Sequence, residues 1–297
     1  RSTAVSHSGQ CVGMRKGFQA DAIDRDEMMR ARAAYFGCVS YLDEVVGDLL
    51  LRLEHGGLLE NTIVVYTSDH GELAGEHGVW WKHGWQEACT RVPLIVSLPE
   101  QRSGKQPARR VETPVALTDL YPTLCALGGA EAPANLDGAD LSAAVRGDGE
   151  PPERPVVSDN LVPRWGEGTE FRMVRQGGYK YVRFRDARPL MFDLAADPGE
   201  QHDLIARGCD GAAADMRDRL AAFAEQSMDF DAAERDRTER DADLDERYAQ
   251  PESAKNATGN LYLMPDGRVV NADDTLYSPT VIYDKPERGF VDWPGGE

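Results

Sequence analysis

Residues 62–68 and 92–98 are two short runs that carry apolar side chains on both alternating faces and are bounded by turn residues. A strand with one wet face alternates apolar and polar positions, so runs like these call for cover on both sides, as in a buried parallel sheet. The stretch before the first run supplies a covering helix. Met28, Tyr35, Val39, Leu42, Val46, Leu49 and Leu53 recur at spacings of seven, three or four, the stripe of an amphipathic helix. Asp24 followed by Glu27 forms a capping-box variant at its start, and Gly56 and Gly57 stop it. Helix, buried strand, irregular segment, buried strand is the rhythm of an α/β fold.

Further along, residues 100–112 are a polar connector and 118–127 a short helix begun by Thr118 or Asp119. Residues 129–155, rich in Gly, Pro, Asp and Ala, read as a surface excursion. Residues 171–175, 179–185 and 189–194 then alternate or cluster apolar positions across tight turns, which predicts a small antiparallel meander. Met216, Leu220 and Phe223 mark a helix packed on it. The division that follows is 1–150 for the main α/β part, 151–228 for a small sheet-plus-helix subdomain, and 229–297 for an acidic C-terminal extension.

Composition narrows the function classes. The 51 Asp plus Glu against 33 Lys plus Arg give a net charge of −18, a sign that repels phosphate backbones and excludes nucleic acid as a general partner. No apolar run approaches the roughly 20 residues of a membrane-spanning helix. Cysteines at 11, 38, 89, 125 and 209 include no CxxC pair, so neither a disulfide framework nor a zinc cluster is expected. The first residue is Arg1, and the expectation is a chain that begins inside a longer protein; localisation leans cytoplasmic.

Asp69 and His70 fall just beyond the first buried run, at the strand end where open α/β sheets place ligands. A carboxylate beside an imidazole can bind a divalent cation. The surrounding residues reach further. Ser68-Asp69-His70-Gly71, then Gly75-Glu76-His77-Gly78, Trp81, Lys82, and finally Thr90-Arg91-Val92-Pro93-Leu94-Ile95-Val96 resemble the C-terminal metal-and-sulfate segment of the sulfatases of the alkaline phosphatase superfamily. Thr118-Asp119-Leu120-Tyr121-Pro122, the run from Gly178-Tyr179-Lys180-Tyr181 to Phe192-Asp193-Leu194, and Asp197-Pro198-Gly199-Glu200 resemble later segments of the same family. The likeness covers about residues 25–226.

The resemblance implies an alkaline phosphatase-like α/β fold with a small α+β C-terminal subdomain. It makes Asp69 and His70 metal ligands and aims the Lys82 ammonium at sulfate oxygens. His77 is expected to hydrogen-bond within the loop and hold Asp69 or the strand end in place, and His83 to reach the leaving-group oxygen as a general acid. Of Trp80, Trp81 and Trp85, two are expected to be packing, and Arg91 is expected to tie the loop to the sheet by an ion pair. The cation is expected to be Ca²⁺, with Mn²⁺ admitted by the imidazole. Family members also carry an acidic pair and a Cys-x-Pro/Ala-Ser-Arg motif whose Cys becomes formylglycine, the nucleophile. Cys11-Val12-Gly13-Met14-Arg15 lacks the Pro or Ala and the Ser, so Cys11 is set aside, and the formylglycine is expected only in an N-terminal part outside this sequence. The expected partner is a small-molecule or saccharide sulfate ester, with a homo-oligomer as a further assembly. Two alternatives remain: a phosphodiester or phosphonate monoester hydrolase of the same superfamily, or a noncatalytic remnant that binds or assembles.

Overall fold

The computed structural model describes residues 23–162, 168–247, 261–263 and 269–271; Cys11 lies outside them. Helix α1 (Arg25–His55) begins with both halves of the anticipated capping box: the Glu27 amide donates to Asp24, and the Asp24 amide to the Glu27 carboxylate. None of its residues is buried. Tyr35, Val39, Leu42 and Leu49 of the apolar stripe stand exposed while Met28, Val46 and Leu53 are half-buried, so the stripe is present and only partly covered.

The two doubly apolar runs form β1 (Val64–Thr67) and, beyond a long excursion, β4 (Leu94–Ser97). They pair with each other antiparallel, Val64 opposite Ser97 and Thr67 opposite Leu94, where the pattern had suggested parallel strands. Apolar residues on both faces report cover and carry no information on strand direction. That cover is incomplete: all of β1 is half-buried, and Ile95 of β4 is 59% exposed. Between them lie the small hairpin β2 (Leu73–Ala74) and β3 (Trp80–Trp81), and the single-turn helix α2 (Glu87–Thr90). Helix α3 (Leu120–Gly128) follows a 3-10 turn, near its predicted start.

The later strands behave differently. β5 (Val156–Asn160), β6 (Phe171–Gln176), β7 (Tyr179–Phe184) and β8 (Leu190–Asp193) make one antiparallel sheet in sequential order. Three of these strands were legible as a meander. β5 was not, because its apolar Val156-Val157 gives way at once to Ser158-Asp159-Asn160. Both faces of this sheet are closed. One packs Phe171, Met173, Val182, Phe184, Leu190 and Phe192 around Trp85. The other packs Val174, Tyr181 and Met191 against Leu220 and Ala224 of helix α4 (Gly211–Ser227), the predicted covering helix.

Helix α5 (Phe230–Arg247) starts in this first unit, with Phe230 buried and the Arg183 guanidinium 4.8 Å over its ring. From Glu234 the chain forms a second unit, whose described residues are the rest of α5 and the antiparallel pair β9 (Leu261–Leu263) and β10 (Val269–Asn271). No helix among the described residues is long and apolar enough to cross a membrane.

Candidate functional site

The chain leaves β1 at Thr67 and turns sharply at Asp69. The Asp69 carboxylate accepts the His70 backbone amide at 2.9 Å, which holds its carboxyl below the usual carboxylate range, while the Ser68 hydroxyl donates to the His70 carbonyl at 2.9 Å. Gly71 is required next. A Cβ there would sit 1.9 Å from the Ala88 carbonyl oxygen, and its amide donates to the Cys89 carbonyl at 2.8 Å. This close approach seats the Asp69-His70 turn directly on α2.

Lys82 arrives from the far side of the β2–β3 hairpin. Its Nζ lies 2.9 Å from His70 Nε2, and an ammonium can only donate, so Nε2 is the acceptor. The other ring nitrogen, Nδ1, therefore carries the proton and donates to the Gly71 carbonyl at 2.8 Å. Asp69 Oδ2 lies 3.3 Å from the same Nε2. The Nε2 lone pair is thus taken up by Lys82 here, and it becomes available, beside the Asp69 carboxylate oxygen, when the ammonium turns away; the backbone fixes the tautomer, as is usual for a ligating histidine. These two donors fit a divalent cation. They are too few to hold one by themselves, and no cluster of three His, Cys, Asp or Glu side chains occurs among the described residues.

Around Lys82 the backbone is strained. Trp81 (φ 77°) and His83 (φ 72°) flank it in the left-handed region, and His77 (φ 55°) sits there too. Such conformations cost about 1–3 kcal/mol each and persist only when surrounding contacts impose them. The Lys82 ammonium lies 5.4 Å from the Trp81 ring centroid, and the His83 ring packs edge-on to Trp81 with centroids 5.2 Å apart. His77 Nδ1 lies 3.4 Å from Gln201 Nε2, a contact with the segment that follows β8. Trp85 is fully buried and stacks on Phe192 at 5.3 Å, so it is packing; Trp80 lines a shallow groove with Ile23, Glu27, Arg30 and Ala31.

Arg91 does not make the expected ion pair among the described residues, and its side chain is exposed. Two other sets of charges fasten the loop. Arg32 of α1 bonds the Glu76 carboxylate at 2.7 Å and the Ala74 carbonyl at 2.9 Å. On the opposite side, Glu87 of α2 pairs with Arg175 at 2.8 Å and Lys180 at 2.6 Å.

Sequence reasoning passed over Glu72, Asn160 and Lys180. Burial pushes the Glu72 carboxyl up, against the opposing pull of His70 and Lys82, which places it in the field of the site. The signal for Lys180 was available, since a lysine in a strand with Tyr181 and Val182 has to be buried with a counter-charge or turned out to solvent. Asn160 gave no signal, because only the fold brings it to the loop.

A strand end that presents a carboxylate and an imidazole beside the ammonium of a neighbouring loop, followed by a small antiparallel sheet, agrees with the alkaline phosphatase-like fold of the structural neighbours. Comparison with known proteins gives the family. The model for N-sulphoglucosamine sulphohydrolase, C-terminal, matches residues 75–226, just over half of the chain, and the sulfatase model matches residues 3–130. Arylsulfatase K of Bos taurus is 34% identical over 192 residues, which cover 61% of this chain and 34% of that protein. A protein solved in complex with its substrate D-glucosamine-2-N,6-O-disulfate superimposes with a TM-score of 0.56 at 27% identity, covering 75% of this chain and 45% of that one. The phosphonate monoester hydrolase of Agrobacterium radiobacter superimposes with a TM-score of 0.57 at 25% identity, covering 82% and 46%. The chain belongs to the sulfatase family and matches its C-terminal portion. It spans about a third of the length of the curated relatives it matches. Sulfatases generally use a divalent metal and a formylglycine.

Proposed function

We propose that this chain supplies the C-terminal metal- and sulfate-binding half-site of a sulfuric ester hydrolase. The observation that carries the reading is that Lys82 Nζ, at 2.9 Å, and Asp69 Oδ2, at 3.3 Å, both approach His70 Nε2. Displacement at the sulfur of a sulfate ester loads negative charge onto the nonbridging and leaving oxygens. Lys82 is the donor for that charge, and since its ammonium has only His70 Nε2 as a hydrogen-bond partner among the described residues, it is ready to turn to an anion. Asp69 and His70 would hold the cation, Ca²⁺ where the further ligands are carboxylate oxygens, with Mn²⁺ admitted by the imidazole. When bound, the cation supplies Lewis-acid stabilisation of the same oxygens. His83, adjacent to Lys82, is the candidate proton donor to the leaving alcohol, and His77 steadies the hairpin through its contact with Gln201.

The substrate class is a small-molecule or saccharide sulfate, supported by the sugar disulfate held by the first structural neighbour. A second reading, hydrolysis of a phosphonate monoester or phosphodiester, is favoured by the similarity to the Agrobacterium enzyme. A sulfate monoester and a phosphate diester each carry one negative charge, so Lys82 serves either. Hydrolysis of an aryl sulfate and of an aryl phosphodiester by the natural full-length protein separates the two. Higher kcat/KM on the sulfate is expected, and the reverse order would move the assignment to the second reading. Metal content of Asp69→Ala and His70→Ala tests the half-site, and a stoichiometry unchanged in both would contradict it.

A further inference from the structure

The loop that carries Lys82 is held by its carbonyls. Going along it, the Trp81 carbonyl accepts from Cys89 Sγ of α2 at 3.6 Å, the His83 carbonyl from Asn160 Nδ2 of β5 at 3.1 Å, and the Trp85 carbonyl from Lys180 Nζ of β7 at 3.1 Å. Every second carbonyl is therefore gripped from a different element. Two of the three grips come from the small antiparallel sheet, distant in sequence from the loop.

Lys180 is fully buried, and its three N–H groups meet three acceptors: the Trp85 carbonyl, Glu87 at 2.6 Å and Glu200 at 2.8 Å. The second oxygen of Glu200 accepts the Glu87 backbone amide at 2.8 Å. Lys180 and Glu200 together thus fix both the end of the loop and the first residue of α2. Asn160 acts at the strained position itself, because the carbonyl it holds belongs to His83, which stands at φ 72°. Its Oδ1 meanwhile accepts the Val162 amide at 3.3 Å, which orients the amide group so that Nδ2 faces the loop.

We propose that Asn160 and Lys180 are positioning residues for Lys82: the small C-terminal sheet holds the strained backbone at His83 and the segment that follows it, and thereby aims the Lys82 ammonium at His70 Nε2. The inference rests on the reading of Lys82 as the anion-binding cation. It gives the sheet a role in the chemistry although none of its side chains is placed at the reacting atoms.

The test uses the natural full-length protein and an aryl sulfate. Asn160→Asp keeps the size of the side chain and the acceptor for Val162 but cannot donate to the His83 carbonyl. It should lower kcat about tenfold or more, toward the roughly hundredfold that an ångström of misplacement costs, with KM little changed. Hydrogen exchange across residues 80–85 should rise in the same variant, a readout that a merely structural residue elsewhere in β5 would not move. Asn160→Ala should act in the same direction. Lys180→Met combined with Glu200→Gln removes both buried charges at once and should again raise exchange and lower kcat. A folded Asn160→Asp protein with normal kcat and unchanged exchange at 80–85 overturns the inference. Lys82→Ala distinguishes the two possible failures. If that variant loses activity while Asn160→Asp is normal, only the positioning role fails; if Lys82→Ala stays fully active, the reading of the site fails and the inference with it.

Discussion

The β1–β4 region and the β5–β8 sheet are comparable in their apolar content and opposite in how they use it. In β5–β8 the residues of both faces find partners within the described structure, Trp85 and its aromatic neighbours on one side and α4 on the other. In β1–β4 the strands are half-buried, and α1 keeps Phe36, Tyr41 and Leu49 at 56, 69 and 54% exposure. The difference shows where stability resides and where it is lent. The Lys82 loop grows out of the open region and is fastened, through Trp85, Asn160 and Lys180, to the closed one.

The comparison breaks most readily at Phe192. Phe192→Ala opens a cavity under Trp85 and should cost about 3–5 kcal/mol in urea unfolding, whereas Phe36→Ala on α1 should stay within about 0.5 kcal/mol. Similar costs at the two positions would mean that the regions are equally packed. Gly71→Ala comes next. Its Cβ would collide with the Ala88 carbonyl, a backbone atom that cannot swing aside, so a loss of about 1–3 kcal/mol together with weakened metal binding is expected.

How much of this could be read in advance follows the same division. The helix stripe, the caps, three strands of the small sheet and its covering helix were legible because local period and turn chemistry determine them. Strand direction in β1–β4 was not, since residues apolar on both faces look alike in either orientation. Asp69, His70 and Lys82 were legible as a spaced motif. The grips of Asn160 and Lys180 were not, because they join residues 77 and 95 positions apart. Arg91 shows the converse error: a charge next to a motif was expected to tie the loop to the sheet, and the fold makes that tie instead between Glu87 and the pair Arg175 and Lys180.

Smaller effects sharpen the contrast. With no residue of α1 buried, its cap bears more of the load, and Asp24→Ala should cost about 1 kcal/mol and fray the first turn, visible as faster amide exchange at Glu27 and Met28. The smallest effect concerns the two cysteines Cys38 and Cys89. Burial pushes the Cys89 thiol up to about 12, while Cys38 is exposed on α1. A raised thiol contributes stability that is complete below its ordinary 9.0 and is lost as pH rises toward about 12. Stability should therefore decline over that window in the wild type and decline less in Cys89→Ala. At pH 8 a thiol reagent should label Cys38 and leave Cys89 unmodified, and rapid labelling of Cys89 would place α2 in the open region.

The central claim is that Lys82 serves the transition state of sulfate ester hydrolysis, and the most direct measurement is kcat/KM of Lys82→Ala on an aryl sulfate in the natural full-length protein, read beside its melting temperature. Loss of one such donor should lower kcat/KM by about two to three orders of magnitude while the melting temperature scarcely moves. A variant that retains wild-type kcat/KM would contradict the account and return Lys82 to the status of a surface charge.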